Sequence, residues 1–583
     1  TITDKNITLW GACVEGTILS PTTPMEDEAT DAIIRIDGTN PEHKVVVKNL
    51  TLTGGQRRGM NITGITAEVS HVEIVSAKKG GVLVDYGGSL TASSVRIRDT
   101  LSDSSNASGV GMALYDDVTV LLDRVILERN RTVGIHAVST GISQVHFEAT
   151  DMIVRDTQEQ EGEKDLGNGI FLLNNVTAVL KRVLIERNRN IGLAAATENG
   201  DTKCSLQAED IVVRDTRSTQ NDQTEGKGIF VARNTEALLA RTLIEENRYV
   251  GMVVASDVEG VSARLSASDT IVKDTEAQEA PEAQKSGRGI SLEGNVQMTF
   301  SRILLQNNKE AGLVAKTENT EFLCSIGGDS LMVRETKETV DEQKDGRGIH
   351  LENNVSANFD RVLVEKNRTM GLSALTLLEG AQGSLQMTDF IIRDTQAQKS
   401  DHRFGEGVFV QEAFTVDLRR GAIVDNREAG VFLLDALDMY TAPPTVTLSD
   451  VKISGTKIRE CSELKIDCVY APDAPFGHGL GVYDGAEATL RNVEITNNTN
   501  GIQIRDSKVF SGDECSLAAC SGTGIPVCLL LKDNETAINA FELPADYDIN
   551  TAFAEGKTCY EGNDTNFSSE EQAVPEPPDP PEM

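Results

Sequence analysis

A motif of the type Ile-Val-Arg-Asp-Thr recurs about every 59 residues through most of this 583-residue chain. Without the repeat, a chain of this length would be expected to form several ordinary domains. With the repeat, the sequence predicts an architecture in which each unit packs only on its neighbours. The basic residue of the motif is Arg98, Arg155, Arg214, Lys273, Arg334 and Arg393.

Each repeat contains two similar halves of roughly 23 residues. The first half opens with Gly-x-Gly, as in GNGIFLL at 167–173, and the second opens with one glycine before an apolar tetrad, as in IGLAAA at 191–196. The apolar runs are short, are rich in Val, Ile and Leu, and end at Gly, Asn or Asp. Such runs predict strands separated by turns rather than amphipathic helices.

Short strands without helical crossovers cannot build an α/β sheet, but they become buried if each half-repeat makes one turn around a common axis. Successive turns then lie about 4.8 Å apart and pair in parallel. The cadence Gly-Ile-x-Leu, Asn-Val, Leu-x-Arg-Val-x-Ile-x-x-Asn, from about residue 32 to 505, resembles the right-handed parallel β-helix family of pectate-lyase-like and polygalacturonase-like proteins. The resemblance implies an all-β fold, a single β-solenoid of about twenty coils.

The predicted domains follow the repeat. Residues 1–31 would form an entering coil, 32–506 the β-helix, 507–567 a cysteine-containing C-terminal cap and 568–583 an acidic proline-rich tail. The composition of the tail predicts an extended or disordered segment. No capping element precedes the first coil, so we expect a cap, a missing upstream segment or a neighbouring subunit at that end.

Stacking would place equivalent residues of successive coils above one another, and each such set is called a column here. One column of asparagines fits a left-handed turn position, where the side-chain amides would hydrogen-bond along the stack. A column of arginines and the aspartates of the recurring motif would supply matched charges on turn surfaces. A catalytic acid acts at one place with one partner, so we interpret the recurring aspartate as architecture. The asparagines are Asn130, Asn188, Asn247, Asn308, Asn367, Asn426 and Asn498, and the arginines are Arg124, Arg182, Arg241, Arg302, Arg361 and Arg420.

Gly-His-Gly at 477–479, followed by Ile-Gln-Ile-Arg-Asp at 502–506, resembles the Gly-His-Gly and Arg-Ile-Lys signatures of polygalacturonases. The resemblance implies that His478 and Arg505 would bind substrate and position acids, with Asp467 and Asp473 nearby. However, His478 occupies the variable middle of a Gly-x-Gly opening, and the family's Asn-Thr-Asp and Asp-Asp elements have no counterpart. We therefore predict no catalytic residues and keep these four as the alternative. The other histidines are dispersed and predict neither a metal site nor a nucleophile triad.

Six of the nine cysteines lie in the last quarter of the chain. In a loop-rich region they predict disulfides and an oxidising compartment. The expected pairs are Cys461–Cys468, Cys515–Cys520 and Cys528–Cys559, although six cysteines allow 15 connectivities. A metal site is the rival interpretation, but the CxxC spacing and neighbouring histidines of zinc sites are missing. Sequons predict candidate glycosylation at Asn106, Asn175, Asn354, Asn534 and Asn563.

Ninety acidic residues against 55 basic ones give a net charge of −35. Such an excess argues against binding to nucleic acid or to anionic membrane surfaces. No apolar run reaches about 18 residues, so we predict no membrane span. The chain starts at Thr1 without a secretory signal, and we expect a mature or truncated product of an exported, bacterial protein.

Hydrophilic insertions close the second half of each repeat and should line up on one face. They contain no Trp or Tyr, the usual platforms for sugars, so the alternatives are partner or ion binding and solvated spacers. The insertions occupy 101–108, 158–166, 217–225, 276–286, 337–345 and 396–404.

These features predict a non-enzymatic extracellular or cell-surface β-solenoid that serves as a rigid structural element, an adhesin or a filament subunit. End-to-end self-association would build filaments, and a glycan or surface partner is the other candidate. No cofactor is predicted; calcium on the acidic loops is the one ion considered. The alternative is a polysaccharide-binding or polysaccharide-cleaving enzyme of polygalacturonase or lyase type, which the resemblance alone implies.

Overall fold

The computed structural model describes residues 1–21, 32–40, 42–55, 57–103, 105–280, 286–340, 343–435, 442–468, 476–512, 515–517, 527–554 and 556–572. The chain divides into two compact units, unit 1 (Thr1–Gln284) and unit 2 (Lys285–Met583). The predicted boundaries at 31/32, 506/507 and 567/568 do not coincide with this division.

Each unit is a stack of coils built from two parallel sheets. In unit 1 the strand Asn168–Leu173 pairs in parallel with the preceding Val133–Val138 and with the following Ile191–Ala196. The strands of the other sheet, such as Val176–Glu186, are longer and pair in the same way. We call these the short sheet and the long sheet. The prediction of an all-β, right-handed parallel β-helix is confirmed.

In unit 1 the strands of the short sheet are Ile2–Thr3, Ala32–Asp37, Arg58–Thr63, Gly80–Asp85, Val110–Tyr115, Val133–Val138, Asn168–Leu173, Ile191–Ala196, Lys227–Ala232 and Val250–Ser256. The strands of its long sheet are Ile7–Trp10, Ile18–Leu19, Lys44–Thr53, Thr66–Val75, Ser89–Arg98, Val118–Glu128, Val145–Arg155, Val176–Glu186, Cys204–Arg214, Thr235–Glu245 and Ala263–Lys273.

In unit 2 the strands of the short sheet are Arg288–Gly294, Ala311–Lys316, Arg347–Glu352, Met370–Leu375, Glu406–Gln411, Ala429–Leu434, His478–Tyr483, Asn500–Arg505, Thr536–Phe541 and Thr565–Ser568. The strands of its long sheet are Val296–Gln306, Cys324–Arg334, Val355–Glu365, Gly383–Arg393, Phe414–Val424, Thr445–Ser454, Glu487–Arg491, Val493–Thr496, Lys508–Ser511, Leu529–Lys532 and Thr558–Glu561. The helices are Glu460–Leu464 and Ile549–Ala552.

The long strands bend once, at a residue with a positive φ angle. In Val176–Glu186 this residue is Arg182, with φ 53°. Ala178 and Leu180 face the interior before the bend, and Val183 and Ile185 face it afterwards, all four fully or almost fully buried. The bend therefore gives the long strand two inward-facing halves, so one strand lines two sides of the coil.

Most short strands contain a glycine, which marks a close approach between the coil wall and the neighbouring coil. A Cβ on Gly169 would collide with the carbonyl oxygen of Gly192 in the next coil and with the buried side chain of Asn188. Only glycine leaves enough room there. This steric requirement explains why the motif is Gly-x-Gly and why its middle residue varies.

The coils continue beyond residue 506. Leu529–Lys532 pairs in parallel with both Val493–Thr496 and Thr558–Glu561, so the predicted cap boundary at 507 lies within the parallel pairing. Cys461 and Cys468 are joined, as expected. Cys515 is bonded to Cys528, so the predicted pairs Cys515–Cys520 and Cys528–Cys559 are wrong.

The error in pairing has a physical cause, since Cys515 and Cys528 lie 13 residues apart on one insertion, where an antiparallel bridge between Leu517 and Val527 brings its two ends together. Cys559 is itself disulfide-bonded, and Cys520 lies outside the described residues. Across the described ranges, no helix has the length and apolar character needed to cross a bilayer.

Candidate functional site

The asparagine column is buried and bonds to the backbone of the preceding coil. The Oδ1 atom of Asn188 accepts a hydrogen bond from the Thr157 backbone N–H at 3.1 Å, and its Nδ2 donates to the Val154 carbonyl oxygen at 3.1 Å. Asn367 makes the same two contacts, with Thr336 and Val333. Because a buried threonine from the recurring motif lies between successive asparagines, most of them do not form an amide-to-amide ladder.

A direct amide ladder does form near the carboxyl end of unit 2. Asn498 Nδ2 donates to Asn534 Oδ1 at 3.0 Å, and Asn534 Nδ2 donates to Asn563 Oδ1 at 3.1 Å. The predicted pattern of bonding along the stack is therefore local rather than general, because only here do consecutive coils both carry asparagine.

The arginine column lies at the bend of the long strands and is exposed. Arg182 contacts Asp151, the bend residue of the preceding coil, at 2.7 and 3.0 Å, and Arg420 contacts Asp389 in the same way at 2.8 and 3.0 Å. The Arg182 guanidinium lowers the pKa of Asp151 by hydrogen bonding. Opposite charges thus alternate from coil to coil, although pairs this exposed contribute little stability.

The aspartates of the recurring motif have different partners from those of the arginine column. Asp99 and Asp156 have φ angles of 55° and bind Arg129 at 2.7 and 3.0 Å and Arg187 at 2.8 and 3.1 Å, respectively. A hydrogen bond from Arg129 lowers the pKa of Asp99. The expectation that these aspartates match the predicted arginine column is therefore wrong. The charges of each column are paired with opposite charges on the coil that lies between two of its members.

The insertions stack on one another within each unit, and we call this arrangement the loop row. In unit 1 the Gln220 N–H donates to Glu159 Oε1 at 3.1 Å, one repeat away, and the Glu279 N–H donates to Ser218 Oγ at 3.2 Å. In unit 2 the Cys461 N–H donates to the His402 carbonyl oxygen at 3.3 Å. The loop closed by Cys461–Cys468 is thus a member of the loop row and not part of a terminal cap.

A concave pocket of about 500 Å³ lies among the loops of unit 1. Arginines dominate its lining, but each is held by a carboxylate. Arg189 binds Glu159 at 2.9 Å, and Arg131 binds Glu161 at 2.9 Å. The arrangement rigidifies the loops and leaves these charges internally balanced.

The alternative catalytic residues do not converge on an exposed face. His478 is 0% exposed, and burial lowers its pKa to about 3. Its Nδ1 lies 3.2 Å from Asn500 Nδ2 of the next coil. Arg505 is bound to Asp484, Asp467 is exposed on the disulfide-closed loop, and Asp473 lies outside the described residues. A neutral, buried imidazole at this position cannot reach a polymer.

A chain of hydrogen bonds that the sequence did not predict joins a serine, a histidine and a glutamate in unit 2. His350 Nδ1 lies 2.8 Å from Ser373 Oγ, and His350 Nε2 lies 3.0 Å from Glu352 Oε2. These residue types also occur in nucleophile triads, and the dispersed histidines of the sequence did not predict that one of them would have such partners. His350 and Ser373 are both 0% exposed, and burial lowers the pKa of His350. Strands more than 20 residues apart supply the members, which is why sequence spacing did not show them.

The outer face of the short sheet in unit 2 carries a second apolar cluster. In Glu406–Gln411, Val408 and Val410 face the interior, so Phe409 faces outward. Its ring centroid lies 5.4 Å from that of Phe432, which lies 5.3 Å from that of Tyr483. We call this set the outer cluster: Met370, Leu375, Phe409, Ala429, Phe432, Leu434 and Tyr483. Apolar residues at alternating outward positions, as in GVFVQ and GVFLL, are the sequence signal for it.

The candidate glycosylation sites differ in their environments. Asn106 is exposed. Asn534 is 2% exposed and belongs to the amide ladder, and a glycan on its nitrogen would break that ladder. Asn175, Asn354 and Asn563 donate their Nδ2 groups to carbonyl oxygens of the preceding coil, and a glycan on that nitrogen would break the contact.

No group of three His, Cys, Asp or Glu side chains in the described parts of the chain is arranged to hold a metal ion. The acidic loops therefore give no structural support for a calcium site there.

Comparisons with known proteins give fold-level likenesses only. No family model matches the chain, and no curated protein matches it. Among solved structures, the periplasmic alginate epimerase AlgG is 12% identical, with 60% of this chain and 72% of that chain covered and a TM-score of 0.34. The Vag8–C1 inhibitor complex is 11% identical, with 96% of this chain and 100% of that chain covered and a TM-score of 0.29. The tailspike protein gp49 from Pseudomonas phage LKA1 is 10% identical, with 74% of this chain and 70% of that chain covered and a TM-score of 0.27.

Proposed function

We propose that the protein is a non-enzymatic β-solenoid that serves as a rigid structural element outside the cell or at its surface. The observation that carries the proposal is the commitment of the repeated polar residues to contacts between coils. The asparagines bind backbone, and the bend arginines and motif aspartates bind the opposite charge of a neighbouring coil. Residues used in this way maintain stiffness and are not available to a substrate.

The disulfides support an oxidising location. Cys461–Cys468 closes a surface loop, and Cys515–Cys528 closes an insertion between the strands Lys508–Ser511 and Leu529–Lys532. Disulfides of this kind persist in extracellular and periplasmic compartments and are rare in a reducing cytosol. We therefore place the protein in the exported class.

Self-association through the first coil is the partner interaction that we propose for this chain. Trp10 and Ile18 are 69% and 59% exposed, and Ile7 is 40% exposed, all in the strands of that coil. Apolar side chains beside a strand edge favour addition of another strand. Association that joins unlike ends does not close and extends into fibres.

Electron microscopy and activity assays test the proposal together. We expect rods or filaments in micrographs and no product from polygalacturonate or alginate. Concentration-dependent light scattering should accompany filament formation. A monodisperse monomer at high concentration would remove the filament role, and release of oligosaccharides would remove the non-enzymatic assignment.

A hydrolytic alternative has one observation in its favour, the hydrogen-bonded chain of Ser373, His350 and Glu352. Its test is hydrolysis of a small activated ester by the wild-type protein and by Ser373→Ala. Activity that disappears in Ser373→Ala would favour the alternative. Equal background rates would assign the three residues to packing between coils.

A further inference from the structure

The outer cluster of unit 2 is shielded from solvent although it lies on the outside of a sheet. Phe409, Phe432 and Tyr483 are each 0% exposed. In unit 1, Phe171 occupies the position equivalent to Phe409 and is partly exposed. The position of this ring is thus partly open to solvent at Phe171 of unit 1 and fully shielded at Phe409 of unit 2.

The described end of the chain runs across this face of unit 2. After its last strand, Thr565–Ser568, the chain turns back over earlier coils. Asn539 Nδ2 donates to the Glu570 carbonyl oxygen at 2.9 Å, and Asn500 Nδ2 donates to Gln572 Oε1 at 3.0 Å. Asn539 and Asn500 belong to successive coils of the short sheet. The chain is therefore directed toward the strand His478–Tyr483 and the outer cluster beyond it.

The remaining length matches the length of the covered face. Residues 573–583 contain five prolines and would span about 34 Å as a polyproline II helix at ~3.1 Å per residue. Coils lie about 4.8 Å apart, so this length corresponds to roughly seven coils. A segment that starts over the strand Asn500–Arg505 and passes over seven coils toward the amino-terminal side of unit 2 would reach the strand Arg288–Gly294.

The chemistry of the tail matches what it would meet. Proline-rich segments bind to grooves lined by aromatic rings, and the rigid polyproline II conformation costs little entropy to order. The first coils on the route carry Tyr483, Phe432 and Phe409. The later coils carry Lys316 and Arg347, with side chains 11% and 3% exposed and paired with Glu318 and Asp345, while the tail carries the acidic residues Asp579 and Glu582.

We propose that residues 573–583 bind in cis along the outer face of the short sheet in unit 2, as an extended strap over the outer cluster. The prolines lie on the aromatic rings, and the acidic end lies over the basic residues of the earlier coils. The strap would also cover Ser373 and His350, whose coils lie on the same route.

Cysteine accessibility tests the strap. In a Cys13→Ser background, which removes the exposed free thiol, Ser373→Cys places a reporter on the covered face. Truncation after Gln572 should increase its rate of maleimide labelling at least tenfold. Ala374→Cys is the matched control, since Ala374 is 0% exposed and faces the interior, so its labelling should stay slow in both lengths of chain.

A synthetic peptide of residues 573–583, added to the truncated chain, should restore protection of the Ser373→Cys reporter, and a peptide with its prolines replaced by serine should not. If truncation leaves the reporter protected in a folded chain, another segment covers the face and the proposal is wrong. Protection in the full chain that falls on dilution would assign the strap to a second copy and overturn binding in cis.

If the truncated chain fails to fold, a full-length variant with serine at Pro577, Pro578, Pro580 and Pro581 takes its place. It keeps the length and charge of the tail and removes the polyproline II preference. We expect the same increase in labelling of the reporter. Unchanged protection would contradict the proposal.

Discussion

The asparagine column shows how much one buried side chain contributes to this fold. Asn367 is fully buried, accepts a hydrogen bond from the Thr336 N–H at 3.0 Å and donates to the Val333 carbonyl oxygen at 3.2 Å. At the turn, the side-chain amide of Asn367 takes the place of backbone partners for the Thr336 N–H and the Val333 carbonyl oxygen. An unsatisfied buried polar group costs about 1–3 kcal/mol, so the column is a larger source of stability than the exposed charges.

We therefore expect Asn367→Ala to lower the free energy of unfolding by about 2 kcal/mol or more. The matched control is Arg420→Ala, which removes a column residue whose side chain is 56% exposed, and we expect a much smaller loss because exposed ion pairs contribute little. Urea unfolding followed by circular dichroism measures both. Equal losses for the two variants would contradict this ranking.

Glu406 is the residue for which pH dependence is clearest. It is 0% exposed, and burial raises its pKa well above 4.5, with the Glu428 carboxylate adding to the effect and Arg459 opposing it. A raised pKa in the folded state gives stability that is complete below the unfolded pKa and is lost as the pH rises through the folded pKa. Glu406 should thus make the wild-type protein less stable at neutral and alkaline pH.

Glu406→Gln should remove that loss, since the amide does not ionise. We expect the variant to match the wild-type protein near pH 4 and to exceed its stability at pH 8 by at least about 1.4 kcal/mol, the equivalent of one pKa unit. Unfolding curves across this pH range test the difference. Glu428→Gln is the contrasting control. It breaks the buried pair with Arg459 and should destabilise unit 2 at both pH values.

At the scale of elements, the repeats in the sequence predict that the loops share one face, but they do not predict the hydrogen bonds that join the loops in the loop row. Equivalent insertion points placed the loops on one face, but their mutual hydrogen bonds depend on loop conformations that differ from repeat to repeat. The disulfide loop extends the row because the Cys461 N–H reaches the preceding loop. The cysteines therefore stabilise a surface loop that stacking alone holds only weakly.

Replacing Cys461 and Cys468 by serine should loosen that loop. We expect a loss of about 2 kcal/mol, the value typical of closing a short loop, together with faster amide exchange around Glu460–Leu464. Cys13→Ser, which removes an exposed free thiol, is the control and should leave both quantities unchanged. Slow exchange in the double variant would show that the contacts with His402 hold the loop without the bond.

At the scale of the whole molecule, the described strands of each coil pair only with those of the neighbouring coils, and the loop row adds contacts one repeat away, so stability should grow with the number of coils. Arg347 and Glu406 are equivalent residues, each two places before the apolar core position of its strand. Removing residues 348–406 would delete one complete repeat and join equivalent backbone positions. We expect this deletion to fold with an unchanged circular dichroism spectrum per residue and a smaller dependence of unfolding on urea.

The control deletion, residues 348–396, joins a short strand to a loop and should yield aggregated protein. Equal behaviour of the two deletions would argue against the nearest-neighbour picture of the stack. The comparison is independent of function, because it depends only on whether successive coils present matching registers.

The parallel β-helix was predictable from the chain alone because its information is local and repeated. The glycine before Ile170, the apolar alternation and the asparagine after alternate long strands are each dictated within one repeat, and the next repeat contains them again. The pairing of Asp99 with Arg129, the bond between Cys515 and Cys528, and the contact of His350 with Ser373 were not predictable in this way. The two side-chain contacts join residues from different coils, and the disulfide closes an insertion between the two halves of one long strand. Which residues meet depends on the number of residues in each turn and loop, a property of the folded stack. Burial of His478 and of the outer cluster likewise depends on what packs over the sheet, and strand alternation carries no information about that cover.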